Sequence, residues 1–123
     1  MEILISNTSA SPIYKQIEEQ IKAAILSGEL PEGSPLPSIR SLANDLHVSV
    51  ITTKRAYAEL EAAGFTTTAQ GKGTFVAGGN LELLKEERLR QIEEQMAHVI
   101  EEARAANISK EDLHVMVDLL MED

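Results

Sequence analysis

The sequence predicts a mainly α-helical chain that carries one small β-hairpin and ends in an αα-hairpin. Three observations carry this. Two stretches with apolar residues at helical spacing are separated by little more than His47 and Val48. Two Thr- and Phe-containing runs then flank Gln70, Gly71, Lys72 and Gly73. Beyond the adjacent Gly78 and Gly79, apolar residues alternate spacings of three and four as far as Ala106.

In chain order, Ile3, Leu4 and Ile5 precede a polar run from Ser6 to Ser9, a segment that reads equally as a short strand or an arm. Ser11 and Pro12 make a helix start, a capping side chain followed by a residue whose missing N–H is harmless in the first turn. Ile13, Ile17, Ile21, Ala24 and Ile25 form the buried stripe, with Lys15, Glu18, Glu19 and Lys22 as the solvated face, and Gly28 suits a left-handed helix end. Pro31, Gly33, Pro35 and Pro37 then forbid regular helix and favour an extended connector.

Ser38 caps a second helix with Ile39, Leu42, Ala43 and Leu46 on one face. After the break, Ser49 caps a third, whose inward stripe is Val50, Thr53, Tyr57, Leu60 and Gly64. Ile51, Thr52, Arg55 and Glu59 point the other way, with Lys54 on the flank. Two short helices joined by so tight a turn constitute a helix-turn-helix, and short polar and basic residues gather at the end that would enter a DNA major groove. Phe65 to Ala69 and Thr74 to Ala77 have strand composition around the Gly-rich connection, which predicts a hairpin, or wing, with Lys72 at its tip. The reading segment, Leu36 to Val76, is therefore a winged helix-turn-helix.

The tail changes character. Leu89, Ile92, Met96, Val99, Ala103 and Ala106 form a heptad-like seam flanked by Glu, Gln and Arg. Asn107 is placed to end that helix and Ser109 to cap a shorter one carrying Leu113, Met116, Val117, Leu120 and Met121. A single narrow seam has little core of its own, which points to a second copy of the chain as its cover and to a two-fold homodimer. The bland alternative folds the hairpin back on the winged domain. Residues 1–78 are read as the DNA-binding domain and 79–123 as the dimerisation tail.

With 123 residues the chain has no room for a large ligand-binding domain beside the reading head. It has no Cys, no apolar run of membrane-spanning length and no leader-like N-terminus, which together point to a soluble cytoplasmic protein. The net charge of −9 opposes a polyanionic partner until it is divided. Residues 1–79 carry −2 and residues 80–123 carry −7. Within the reading segment four cations, Arg40, Lys54, Arg55 and Lys72, face three acids, Asp45, Glu59 and Glu61. Local potential governs docking because charges are screened beyond about 8 Å at physiological salt.

Enzyme signatures are missing: no P-loop, no Gly-x-Ser-x-Gly elbow, no paired His on one helix. His47, His98 and His114 have no metal-ligand spacing, and no cofactor is called for. Four aromatic residues are too few for a stacking surface, so double-stranded rather than single-stranded DNA is the expected partner. No residue set specifies a small-molecule effector.

These residues carry a family resemblance. Gly28, Pro31, Gly33, Leu36, Pro37, Ser38, Arg40, Leu42, Ala43, Val48, Ser49, Ala56, Leu60, Gly64 and the run Gly71 to Val76 resemble the DNA-binding signature of the GntR family of bacterial transcription regulators. The Ser11, Pro12, Ile13, Tyr14 opening and the short tail further resemble its YtrA subfamily, whose members lack a large effector domain and dimerise through the tail. The resemblance implies DNA contacts from Arg40, Ser49, Thr52, Lys54 and Gly71, with Gln70, Lys72 and Arg55 as neighbours. Dimerisation through the tail agrees with the periodicity, whose apolar stripes make Leu89, Ile92, Met96, Val99, Ala103, Leu113, Val117 and Leu120 the expected dimer contacts.

There are two departures. Many relatives have Arg where this chain has Val50, and many place a cation where it has Thr66, Thr67 and Thr68. The expectation is a sequence-specific, homodimeric transcription regulator, a repressor at an inverted-repeat operator. The competing expectation is a winged-helix interaction adaptor that has lost DNA binding.

Overall fold

Ile17, Ile21 and Ile25 recur every four residues along α1 (Ile13–Leu26), and all three are buried. They form the floor of a core completed by Leu42 from α2 (Ile39–Leu46), by Ala56, Tyr57 and Leu60 from α3 (Val50–Ala62), and by Leu36, Phe65 and Val76. The computed structural model describes residues 1–79 and 81–122 and divides into two units, Met1–Lys85 and a second that begins at Glu86. The first holds α1 to α3, an antiparallel hairpin of β1 (Thr66–Ala69) and β2 (Gly73–Val76), and the opening turn of α4 (Leu81–Ala105). The second holds the rest of α4 and α5 (Lys110–Leu120). The architecture is a mainly helical winged helix-turn-helix followed by a helical hairpin.

The N-terminal segment is an arm. Gln20 and Gln16, one helical turn apart on α1, use their side-chain amides as a neighbouring strand would use its peptides. Leu4 donates its N–H to Gln20 Oε1 at 2.9 Å and accepts from Gln20 Nε2 at 2.8 Å; Ser6 exchanges the same pair with Gln16 at 2.8 and 2.9 Å. That register turns Ile3 and Ile5 onto the core.

α1 departs from expectation at two points. Pro12 occupies the N-cap position with no side-chain cap, so Ser11 is one residue too early. Glu18, expected on the solvated face, is 3% exposed, held by Lys22 at 2.7 Å and Lys15 at 3.6 Å. The charge pattern shows which residues are polar, and packing by other elements decides which polar residue is covered.

Ser38 caps α2 through Ser41 N–H, and His47 in left-handed conformation (φ 57°) ends it, with Val48 N–H reaching back to Ala43 O at 3.0 Å. That single reversed residue makes the turn tight enough to bring α3 against α2. On α3 the inward stripe is Thr53, Ala56, Tyr57 and Leu60. Val50, expected inside, is 47% exposed, because the first residue of the helix lies past the end of the core, and Ala56 fills the stripe instead.

The proline-rich connector is extended, as expected, and it is also paired. Leu36 N–H donates to Thr74 O and Val76 N–H to Ser34 O, both at 2.8 Å, so residues 34–36 lie along the free edge of β2.

Tyr57 fixes the angle between the two reading helices. Its hydroxyl donates to Pro37 O at 2.6 Å, tying α3 to the residue just ahead of α2. Burial pushes the phenol up to about 12 from its ordinary 10. A raised folded-state pKa means that the stabilisation is complete below pH 10 and is lost as pH climbs from 10 towards 12, where the unfolded chain ionises first. Melting temperature is therefore expected to fall steeply across that window. Tyr57→Phe should flatten the fall and lower stability at pH 7 by about 1–3 kcal/mol through the stranded Pro37 carbonyl. An unchanged alkaline profile in the variant would refute this.

α4 ends on Asn107, left-handed at φ 58°, with Ile108 N–H bonded to Ala103 O at 2.8 Å. Ser109 then caps α5 through Asp112 N–H at 3.1 Å. Leu81 and Leu84 pack on the core of the first unit, which therefore extends past the glycine pair to Lys85. No helix among the described residues is long and apolar enough to cross a membrane.

Candidate nucleic-acid interface

Two shallow grooves meet at Arg40. One runs between α2 and the start of α3 and is lined by Arg40, Ser41, Ala43, Asn44, Val48 and Val50. The other runs between the start of α2 and the wing and is lined by Leu36, Ser38, Ile39, Arg40, Lys72, Gly73 and Thr74. The fold thus brings Arg40 and Lys72, far apart in sequence, to one groove. Lys72 reaches it because Gly71 and Gly73 take positive φ (79° and 112°) and Lys72 N–H closes on Ala69 O at 2.9 Å, a reversal that leaves the Lys72 side chain at the tip.

The six Lys and Arg side chains of residues 1–79 fall into two sets. Lys15 and Lys22 are ion-paired to Glu18 and Glu19, and the Arg55 guanidinium lies 3.8 Å from the centroid of the Tyr14 ring on α1. Arg40, Lys54 and Lys72 are exposed and, among the described residues, take part in no ion pair. Unpaired cations keep their full field for a ligand, whereas paired ones have spent it within the protein. Arg55 also keeps its net charge, since an aromatic ring carries no counter-charge, and it differs from the other seven expected contacts in resting on Tyr14 by a cation–π contact that braces α3 on α1.

At the tip of α3 the hydroxyls of Ser49 and Thr52 are coupled. Ser49 Oγ accepts from Thr52 N–H at 3.0 Å and donates to Thr52 Oγ1 at 2.7 Å. Both roles of Ser49 are used inside the protein. Thr52, having accepted that proton, keeps its own to donate outward. Gln70, Gly71 and Lys72 are exposed together at the turn of the wing. Sequence reasoning passed over Ser41 and Asn44. The available signal was spacing, since Asn44 lies four residues after Arg40 on the same face of α2.

In the second unit, α4 and α5 border an apolar groove of about 490 Å³. Met96, Val99, Ala103, Leu113, Val117 and Leu120, all expected at a dimer seam, line it together. Only Ala103 is buried; Val99 is 52% exposed, and Leu89 and Ile92 are also exposed farther along α4.

A recognition helix, a cationic wing tip and unpaired cations along one groove define a winged-helix DNA-binding protein. Comparison with known proteins makes this particular. Residues 13–76 match the model of the bacterial regulatory proteins of the gntR family, and the chain belongs to that family. It is 35% identical over 121 residues to the HTH-type transcriptional repressor YtrA of Bacillus subtilis, covering 98% of this chain and 93% of that one. A GntR family transcriptional regulator from Listeria monocytogenes superposes with a TM-score of 0.75 at 34% identity, over 89% of this chain and 96% of that one. The DNA-binding domain of AraR in complex with operator ORX1 superposes on 63% of this chain and 96% of that one, with a TM-score of 0.56 at 30% identity. The chain is a DNA-binding transcription regulator of a non-enzymatic family.

Proposed function

We propose that the protein is a homodimeric repressor of an inverted-repeat operator, with the first unit, Met1–Lys85, reading DNA and the segment from Glu86 onward dimerising, a boundary a few residues later than the expected 78/79. The observation that carries the reading is the convergence of unpaired Arg40 and Lys72 on one groove at the start of α2, where Arg40 also borders the groove that Val50 of α3 lines. The N-terminal end of α3 enters a major groove. Thr52 offers its free proton to a base edge, Lys54 lies at the flank, and Arg40 and the wing residues Gln70, Gly71 and Lys72 hold backbone or the adjacent groove. Ser49 acts by orienting Thr52, and Arg55 by bracing the helix against Tyr14.

The apolar tail seam supports the dimer, because such a continuous exposed face on a small protein gains by being covered. Repression follows the similarity to the B. subtilis repressor.

Selection of bound duplexes from a randomised pool is the direct test. A palindromic site with half-sites about one helical turn, or a multiple, apart is the expected product. Retention of no duplex at low salt would favour the competing adaptor role. Lys72→Ala is expected to weaken cognate and unrelated duplexes alike and to reduce the slope of log K against log salt by about one per subunit, hence about two per dimer. An unchanged slope, read by fluorescence anisotropy from 50 to 200 mM salt, would remove Lys72 from the phosphate contacts.

A further inference from the structure

The outermost residues of the reading helix are apolar. Val50 is 47% exposed and Ile51 is 81% exposed, on a helix end whose neighbours Ser49, Thr52 and Lys54 are hydroxyl-bearing or basic. Neither belongs to the hydrophobic core or packs against it. Val50 shares its groove with Arg40, so an apolar and a cationic group border one surface.

A branched aliphatic side chain held in water at the tip of a groove-reading helix gains by meeting an apolar group. In the major groove of B-DNA that group is the 5-methyl of thymine. The thymine edge carries this methyl beside the O4 acceptor. Ile51 and Thr52 are consecutive on α3, and Thr52 has a proton free to donate. An apolar group next to a donor is the complement of thymine. Guanine and adenine lack the methyl, and cytosine offers a donor in place of O4.

We propose that Val50 and Ile51 are specificity-determining residues that read thymine through its 5-methyl group. The proposal rests on the reading that α3 enters the major groove, and it explains how a chain with Val50 in place of a cation retains sequence preference. Because the contact is uncharged, it releases no counterions. Its share of the affinity is therefore independent of salt, unlike that of Lys72.

The test uses the full-length protein and a duplex recovered from the randomised pool, with each thymine replaced in turn by deoxyuridine, which removes only the methyl. At one or more positions in each half-site, affinity is expected to fall about fourfold per methyl, by an amount unchanged between 50 and 200 mM salt. Ile51→Ala or Val50→Ala should shrink the difference between the thymine and uracil duplexes at such a position. Both side chains are exposed, so the folded state is expected to survive either change, as circular dichroism would verify. Equal binding of thymine and uracil duplexes by the unaltered protein at every position would overturn the proposal while leaving DNA recognition by α3 standing. A methyl penalty that persists undiminished in both variants would also overturn it. Retention of no duplex at all would overturn the proposal together with the reading on which it rests.

Discussion

Val99→Glu is expected to leave the protomer folded and to lower operator affinity by about 10²- to 10⁴-fold, the range lost when a two-headed binder becomes one-headed. Val99 sits midway along the α4 seam and lines the apolar groove, yet half of its surface faces water in the single chain. A carboxylate there costs the protomer little. Covered by a second copy it would be a buried, unpaired charge, which is strongly unfavourable. Sedimentation should show a monomer with unchanged helical content, and binding to an isolated half-site should match that of the unaltered chain. A variant that remains dimeric would place the interface elsewhere.

The proposed tail interface would carry an electrostatic signature. Each tail bears −7, so bringing two together is opposed by repulsion that salt relieves, since the Debye length shrinks from about 30 Å at 0.01 M to about 10 Å at 0.1 M. Dimerisation is expected to tighten over this range while DNA binding weakens. Measured at protein concentrations near the dimer midpoint, operator affinity should therefore pass through a maximum with salt.

Arg40→Ala is the second large effect. If each Arg40 makes a bidentate base contact, its loss weakens binding by about 1–3 kcal/mol, and a two-fold complex loses two such contacts. The expected penalty is about 2–6 kcal/mol per dimer. Arg40→Lys separates the two roles of the side chain. It keeps the charge and so the salt slope, but it lacks the planar fork that grips a base edge or phosphate with paired bonds. Equal loss of specific and non-specific binding in Arg40→Ala would make Arg40 a phosphate contact; no loss in either would remove it from the interface.

Much of the reading head was legible in the chain because its signals are local. Ser38 and Ser49 precede apolar stripes and cap the helices they were expected to cap. Gly71 and Gly73 bracket a reversal that needs positive φ, which places Lys72 at its tip. Asn107 and Ser109 punctuate the tail as periodicity requires. The errors arose where a residue's surroundings come from elsewhere. Periodicity put Val50 inside, but a stripe gives direction and not the extent of the core that it meets. Glu18 looked solvated until its neighbours covered it. The contact of Arg55 with Tyr14 on α1 likewise joins residues far apart in the chain and carries no local signal.

The sequence by itself determined the order of the elements, the winged helix-turn-helix class, the place of the cations along the chain and the separation of acid into the tail. Those properties follow from caps, periodicity and glycine, which act within a few residues. Tertiary structure alone decided that Arg40 and Lys72 share a surface, that the proline connector pairs with β2, and that Val50 stands exposed beside Ile51 at the tip of α3. Each of these depends on contacts between distant segments, whose geometry is fixed only when α1, α3 and the hairpin close around Ile17, Ile21 and Leu60.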